Sequence, residues 1–359
     1  MNKSKTWCIC TLALLGVILL AAGSLTAVID PFFHYHQPLE QLQYPINNER
    51  YQNDGIVKHF FYDALITGSS MTENFKTTEF DALFGVRSVK APYSGGLHDE
   101  IFSNLRRAVA ANPDLKLVIC AIDEWSLLAE RELLQANGAY PTYLYDSNPF
   151  NDVEYLLNKE ILCDGTLKVL DYTRSGQTTT GFDEYGSWDS IFVYDEDVVK
   201  SNYARPDKAD QTKELTRELV DRLTDNMQST VIQTALEHPE IQFIYYFPPY
   251  SILNWDAHNR EGTLQRQVEA FRLASRLMLE VDNIQLYAFY NDYDTVTNLN
   301  LYRDIVHHSG AINSVLLQRI HDGQYRLTRE TNDEYWQEIL EYYQSYDYDA
   351  LLAEEPSQD

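Results

Sequence analysis

The sequence predicts a doubly wound α/β domain carried on one apolar N-terminal helix. Two observations predict it. From residue 62 to about 323, short apolar runs alternate with longer amphipathic stretches, the rhythm of parallel strands joined by crossover helices. Ahead of them, Trp7 through Ile29 carries no charged residue, and such a run is long enough to cross a bilayer as a helix.

The N-terminal run spans residues 1–29 with its flanks. Lys3 and Lys5 precede it and Asp30-Pro31 ends it. The basic flank predicts a single-pass protein of the cell membrane, with the N terminus cytoplasmic and the bulk of the chain outside. Ala21-Ala22-Gly23-Ser24 and Ala27 are small enough for a cleavage site, so a cleaved signal peptide is the alternative. The length of the run favours an uncleaved signal anchor. Residues 30–61 then form a membrane-proximal segment whose Asn, Asp and Gly content reads as loop. His34 and His36 could ligate a metal, but aromatic company near a membrane surface accounts for them, and no metal is expected.

Composition narrows the function. The chain has 359 residues, and 44% apolar content suffices for a sizeable core. Its formal charge of −26 excludes a phosphate-backbone partner, so no nucleic acid is expected. The 26 tyrosines suit either sugar or peptide contacts or half-buried strand faces. Outside the anchor only Cys120 and Cys163 remain, too few for a disulfide framework or a metal cluster.

The first strand is predicted over 62–67, ending at Gly68-Ser69-Ser70. The second covers Arg87–Ala91 and leads through Ser94-Gly95-Gly96 into a helix over 98–111. The third, Lys116–Ile122, is apolar throughout, as a central parallel strand should be, and Asp123 follows it. Residues 126–212 lose the β-α rhythm, apart from a helix near 152–160, and read as an insertion covering the active edge. A helix over 212–237 follows on Leu215, Leu219, Leu223, Met227 and Val231. The fourth strand (Ile241–Phe247), a helix over 263–279 and the fifth strand (Ile284–Phe289) complete the sheet. A last helix follows on Ile312, Val315, Leu316 and Ile320. The domain thus covers 62–330, and residues 331–359 predict an acidic, tyrosine-rich helix and tail that frays.

In a doubly wound sheet the site lies off the carboxyl ends of the strands. Ser70, Gly95 and Asp123 each follow a strand, and Asp304 and His307 follow the fifth at a distance. A serine needs a base, and the base needs an orienter. The three-residue spacing of Asp304 and His307 lets the carboxylate hold one imidazole nitrogen while the other faces Ser70. His308 competes for the base role, but its neighbouring position points it elsewhere. The backbone N–H groups of Ser70 and Gly95 are candidate oxyanion donors.

Five segments in order carry a resemblance: Ile66-Thr67-Gly68-Ser69-Ser70, Ser94-Gly95-Gly96, Ala121-Ile122-Asp123-Glu124, Phe247-Pro248-Pro249-Tyr250 and Asp304-Ile305-Val306-His307. The chain resembles a divergent SGNH (GDSL-type) hydrolase, in particular the membrane-anchored, extracytoplasmic bacterial branch that acts in cell-envelope ester chemistry. The resemblance implies a three-layer, flavodoxin-like α/β/α fold with a parallel sheet of about five strands. It also implies Ser70 as nucleophile, His307 as base, Asp304 as orienter and Gly95 as oxyanion donor, with no cofactor. Two positions depart from the family pattern. Ser69 stands where an acidic residue usually precedes the serine. Asp123 stands where an asparagine amide usually joins the oxyanion hole, and an ionised carboxylate there would repel the charge it should bind. The implied activity is that of a serine esterase or O-acyltransferase on acylated envelope polysaccharide or a small ester. The alternative is a catalytically weakened relative that binds glycan or partners a membrane acyltransferase.

Overall fold

The computed structural model describes residues 3–130 and 140–353. The described residues divide into two compact units: 3–61 with 140–185, and 62–130 with 186–353. The stretch expected as one insertion is thus shared between them.

The chain opens with α1 (Lys3–Ile29) and α2 (Glu49–His59). β1 (Ala64–Gly68), α3 (Thr77–Phe84), β2 (Ser88–Pro92), α4 (His98–Ala111), β3 (Leu117–Ala121) and α5 (Glu124–Leu128) follow. Beyond residue 140 come α6 (Val153–Leu156), a π-helical turn (Ile161–Thr166), α7 (Leu167–Arg174) and α8 (Glu196–Asn202). α9 (Arg217–Asn226) runs through a second π-helical turn (Met227–Ile232) into α10 (Gln233–Glu237) and β4 (Gln242–Phe247). Then come α11 (Ile252–Arg260), α12 (Leu264–Met278), β5 (Ile284–Ala288) and α13 (Tyr293–Val296). α14 (Gly310–His321), β6 (Arg326–Leu327), α15 (Asn332–Ser345) and α16 (Tyr348–Leu352) close the described chain.

In the unit of 3–61 and 140–185, α1 is long and apolar enough to cross a membrane. Most of it is exposed, but Gly23, Thr26 and Ile29 near its end are buried. Asp30 follows with φ +49°, a left-handed conformation that turns the chain sharply. Its buried carboxylate accepts the backbone N–H groups of His34, Tyr35 and His36 and the Tyr155 hydroxyl, at 2.7–2.9 Å. Four donors satisfy a charge that burial would otherwise penalise. Tyr143, Leu144, Tyr145, Tyr155 and Ile161 form the core beside it. The 30–61 segment, expected as loop, contains α2. Its polar Gln52 and Asn53 are buried because the rest of the unit bonds them: Gln52 takes the N–H groups of Asn47 and Asn48, and Asn53 the Tyr185 hydroxyl.

The unit of 62–130 and 186–353 holds the sheet, in the order β2-β1-β3-β4-β5-β6. β1 to β5 are parallel and buried almost throughout. Their order is a doubly wound one of the flavodoxin type. α3 packs with α14, while α4, α9 and its π turn, and α12 group together. That division follows from right-handed crossovers that reverse direction after β2 and so place helices on both faces.

Three expectations are corrected. The sheet has six strands where about five were expected. β6 is a two-residue strand pairing antiparallel with β5, too short to leave a pattern. The helix expected from 212 begins at Arg217, because Lys213 N–H is tied to Gly262 O and Thr216 caps the next N–H groups. α15 does not fray. Its Trp336 stacks on Phe271 and donates to Asn332 and Ser275, and its Tyr343 stacks on Trp255.

Candidate active site

The turn after β1 depends on glycine. Gly68 has φ +140°, and a Cβ there would lie 2.7 Å from the Thr72 side chain and 3.1 Å from Ala121 N. Ser69 accepts Met71 N–H, and Ser70 opens a 3₁₀ turn over Ser70–Thr72. Asn313 and Tyr246 hold that turn through the Met71 carbonyl. Ser70 Oγ is thereby fixed 2.8 Å from His307 Nε2.

His307 sits on a loop closed on itself. Arg303 N–H donates to His307 O, Ser309 N–H to Leu301 O, and Ser251 N–H and Oγ to Ile305 O. Asp304 Oδ1 accepts the N–H groups of Val306 and His307, both at 2.8 Å, and Oδ2 lies 2.8 Å from His307 Nδ1. Burial opposes ionisation of Asp304, but the imidazole and these two N–H groups outweigh it and hold its carboxyl down at about 2. A carboxylate on Nδ1 fixes the tautomer in which Nε2 is a bare acceptor facing Ser70. His308 points elsewhere, as expected. It is fully buried against Tyr302, and burial pushes its imidazole down to about 4.

Ser70, Gly95 and His307 line one cleft of about 470 Å³ with Glu73, Ser94, Trp125, Trp188, Phe192 and Arg303. Gly95 adopts φ +57°, which glycine tolerates. Among the described residues, neither the Ser70 nor the Gly95 backbone N–H has an acceptor within the protein. Asp123 does not line the cleft. It is buried at the end of β3, and its Oδ1 accepts the Tyr250 hydroxyl at 2.6 Å. Burial pushes its carboxyl up to about 6, against the lowering effects of Ser69, Tyr250 and His307.

The sequence reading missed the cleft's aromatic wall. Trp188 stands edge-on to the His307 ring at 5.5 Å. The Arg303 guanidinium lies 4.0 Å from the Trp188 ring and 3.9 Å from that of Phe192, and its Nε reaches Asp304 at 3.3 Å. Two side chains position Trp188. Asn74 Oδ1 accepts its N–H, and Asp189 Oδ1 accepts the N–H of Gly310 at the start of α14. No short-range pattern signals these bonds. The one available clue is position: Trp188 and Phe192 fall in the stretch read as covering the active edge.

A second imidazole pair tests how specific the arrangement is. His258 lies between Thr263 Oγ1 (2.7 Å) and Glu124 Oε2 (3.0 Å), a hydroxyl–imidazole–carboxylate line of its own. Thr263 is buried and bonds the backbone of the same turn. That line pins α11 to α5, and no reactant reaches its hydroxyl. A largest cleft of about 890 Å³, lined by Asp195, Glu196 and Asp197 among others, contains no candidate residue. Among the described residues, no group of three or more His, Cys, Asp or Glu is arranged to hold a metal ion.

No family model matches the chain, and no curated relative does. Among solved structures, the chain is similar to a Streptococcus pneumonia protein provisionally described as a platelet activating factor. The identity is 11% and the TM-score 0.38, over 77% of this chain and 90% of that one.

Proposed function

We propose that this protein is an SGNH-type serine esterase or O-acyltransferase that acts on acyl esters of cell-envelope carbohydrate. The observation that carries the reading is the hydrogen-bonded line from Ser70 Oγ through His307 to Asp304 at the mouth of a cleft. In this reading His307 Nε2 takes the hydroxyl proton as Ser70 Oγ attacks the acyl carbonyl. The ionised Asp304 stabilises the imidazolium that forms. The free N–H groups of Ser70 and Gly95 receive the tetrahedral oxyanion. His307 returns the proton to the departing sugar hydroxyl, leaving an acyl-Ser70 ester. Water or a second hydroxyl then takes the acyl group by the same steps reversed. No cofactor enters. α1 anchors the chain as a single membrane span, with the N terminus cytoplasmic and the site outside.

The full chain in detergent should label with a fluorophosphonate and turn over an aryl acetate. Ser70→Ala should abolish both, a loss of at least 10³-fold in turnover for a missing nucleophile. A wild-type chain that does not label would remove the esterase reading.

One observation favours a second reading. A buried carboxyl at position 123, where the resembled family carries an amide, leaves the oxyanion site without that donor. A weakened enzyme that binds glycan or partners a membrane acyltransferase would keep its role in cells after Ser70→Ala.

A further inference from the structure

The unit containing α1 carries exposed apolar side chains that the active site does not explain. Phe150 is 90% exposed, and Val153, Leu157, Leu167 and Leu170 are 37–53% exposed. They lie on and beside α6 and α7, in the same compact unit as α1.

Their level along α1 is fixed by contacts. A Cβ on Gly23 would lie 3.3 Å from Leu157 and 3.7 Å from Leu156, so glycine allows α6 to approach the helix closely. Thr166, at the end of the π turn, donates to Thr26 Oγ1 at 3.2 Å. A Cβ on Gly165 would meet Pro31 at 3.0 Å. The α6–α7 hairpin therefore wraps residues 23–31 of the anchor. On the side of α1 left open at this level, Leu25 and Val28 remain exposed.

Helix length supplies the rest. At 1.5 Å per residue, Trp7 to Gly23 spans only about 24 Å, short of a hydrocarbon core of about 30 Å. Trp7 to Val28 spans about 32 Å and fills it. The outer edge of the core therefore falls at residues 23–28, the level the hairpin occupies. An apolar side chain there meets acyl chains instead of water, at roughly 25 cal/mol per Å² buried. Acidic and basic side chains alternate along the hairpin (Glu154, Lys159, Glu160, Lys168), so apolar insertion drives the contact and anionic lipid is not required.

We infer that α6, the π turn and α7 form a collar that inserts Phe150, Val153, Leu157, Leu167 and Leu170 into the outer leaflet around α1, seating this unit on the bilayer. The inference rests on the reading of α1 as a retained membrane span, and the test separates the two. The full chain, with Cys8, Cys10 and Cys163 changed to Ser, is labelled with bimane at single sites. The sites are Leu14→Cys in α1, Phe150→Cys and Leu170→Cys in the collar, and Glu218→Cys in the other unit as control. Each variant is reconstituted into phosphatidylcholine nanodiscs containing lipid doxyl-labelled at acyl carbon 5. At least twofold quenching at 14, 150 and 170, with none at 218, is expected. Quenching at 14 alone overturns the collar and leaves the span intact. Quenching at none of the sites overturns the span and the collar together.

Discussion

At the residue scale, Asp123 distinguishes this site from the pattern it resembles. Its carboxyl is buried, and its folded value of about 6 lies above the ordinary 3.8. Between those values the folded chain holds a proton that the unfolded chain has lost. Stability from this group is therefore fully present below pH 3.8 and is lost as pH rises to about 6, with no further loss above. The difference corresponds to about 3 kcal/mol. An amide in its place is neutral at every pH and can still accept the Tyr250 hydroxyl. Asp123→Asn should therefore gain on the order of 3 kcal/mol relative to wild type between pH 3.5 and pH 7.5, measured by denaturant unfolding in detergent. The same substitution should raise acylation severalfold above pH 6, because it removes a negative charge behind the oxyanion donors. A stability difference that does not change with pH would show that Asp123 is not the buried acid described.

At the element scale, the site joins pieces of unequal legibility. Ser70, Gly95, Asp304 and His307 could be read from the sequence because each follows a strand or a spaced pair, and a doubly wound sheet collects strand ends on one edge. Trp188 could not. It lies in a segment without periodicity, held by Asn74 and by Asp189, whose partner Gly310 is 121 residues away. β6 was hidden by its length, and α2 by buried polar residues that only distant partners satisfy. The segment around Trp188 is thus a cleft wall supported at two points. Asp189→Ala removes a carboxylate from the N-terminus of α14 and leaves the Gly310 N–H without its acceptor. The expected cost is about 1–2 kcal/mol of stability. Trp188 loses one of its supports, while Ser70, His307 and Asp304 keep theirs. KM for an ester substrate should rise several-fold with kcat nearly unchanged. A fall in kcat with KM constant would place Asp189 in support of the base instead of the wall.

At the scale of the whole molecule, the anchor is also part of a fold. The uncharged run and its flanks made α1 legible, but its end at Asp30-Pro31 suggested a clean boundary between membrane helix and soluble chain. Packing moves that boundary inward. Ile29 is buried and its carbonyl accepts the Tyr44 hydroxyl at 2.8 Å, while Thr26 is buried against Thr166 and its carbonyl caps Asp30 N–H. A chain starting at Asp30 loses all of these, whereas one starting at Gly23 keeps them. Burying Ile29 contributes about 1.5–3 kcal/mol and each hydrogen bond about 1 kcal/mol. The shorter chain should therefore be about 4 kcal/mol less stable in the unit of 3–61 and 140–185. The sheet-bearing unit draws none of its core from α1, so its melting should not move. Calorimetry of the two truncated chains in mild detergent should show one transition falling by more than 10 °C and the other unchanged. Fluorophosphonate labelling of Ser70 should survive in both. Equal melting of the two chains would mean that the last turns of α1 belong to the membrane alone, and the collar around them would lose its structural basis.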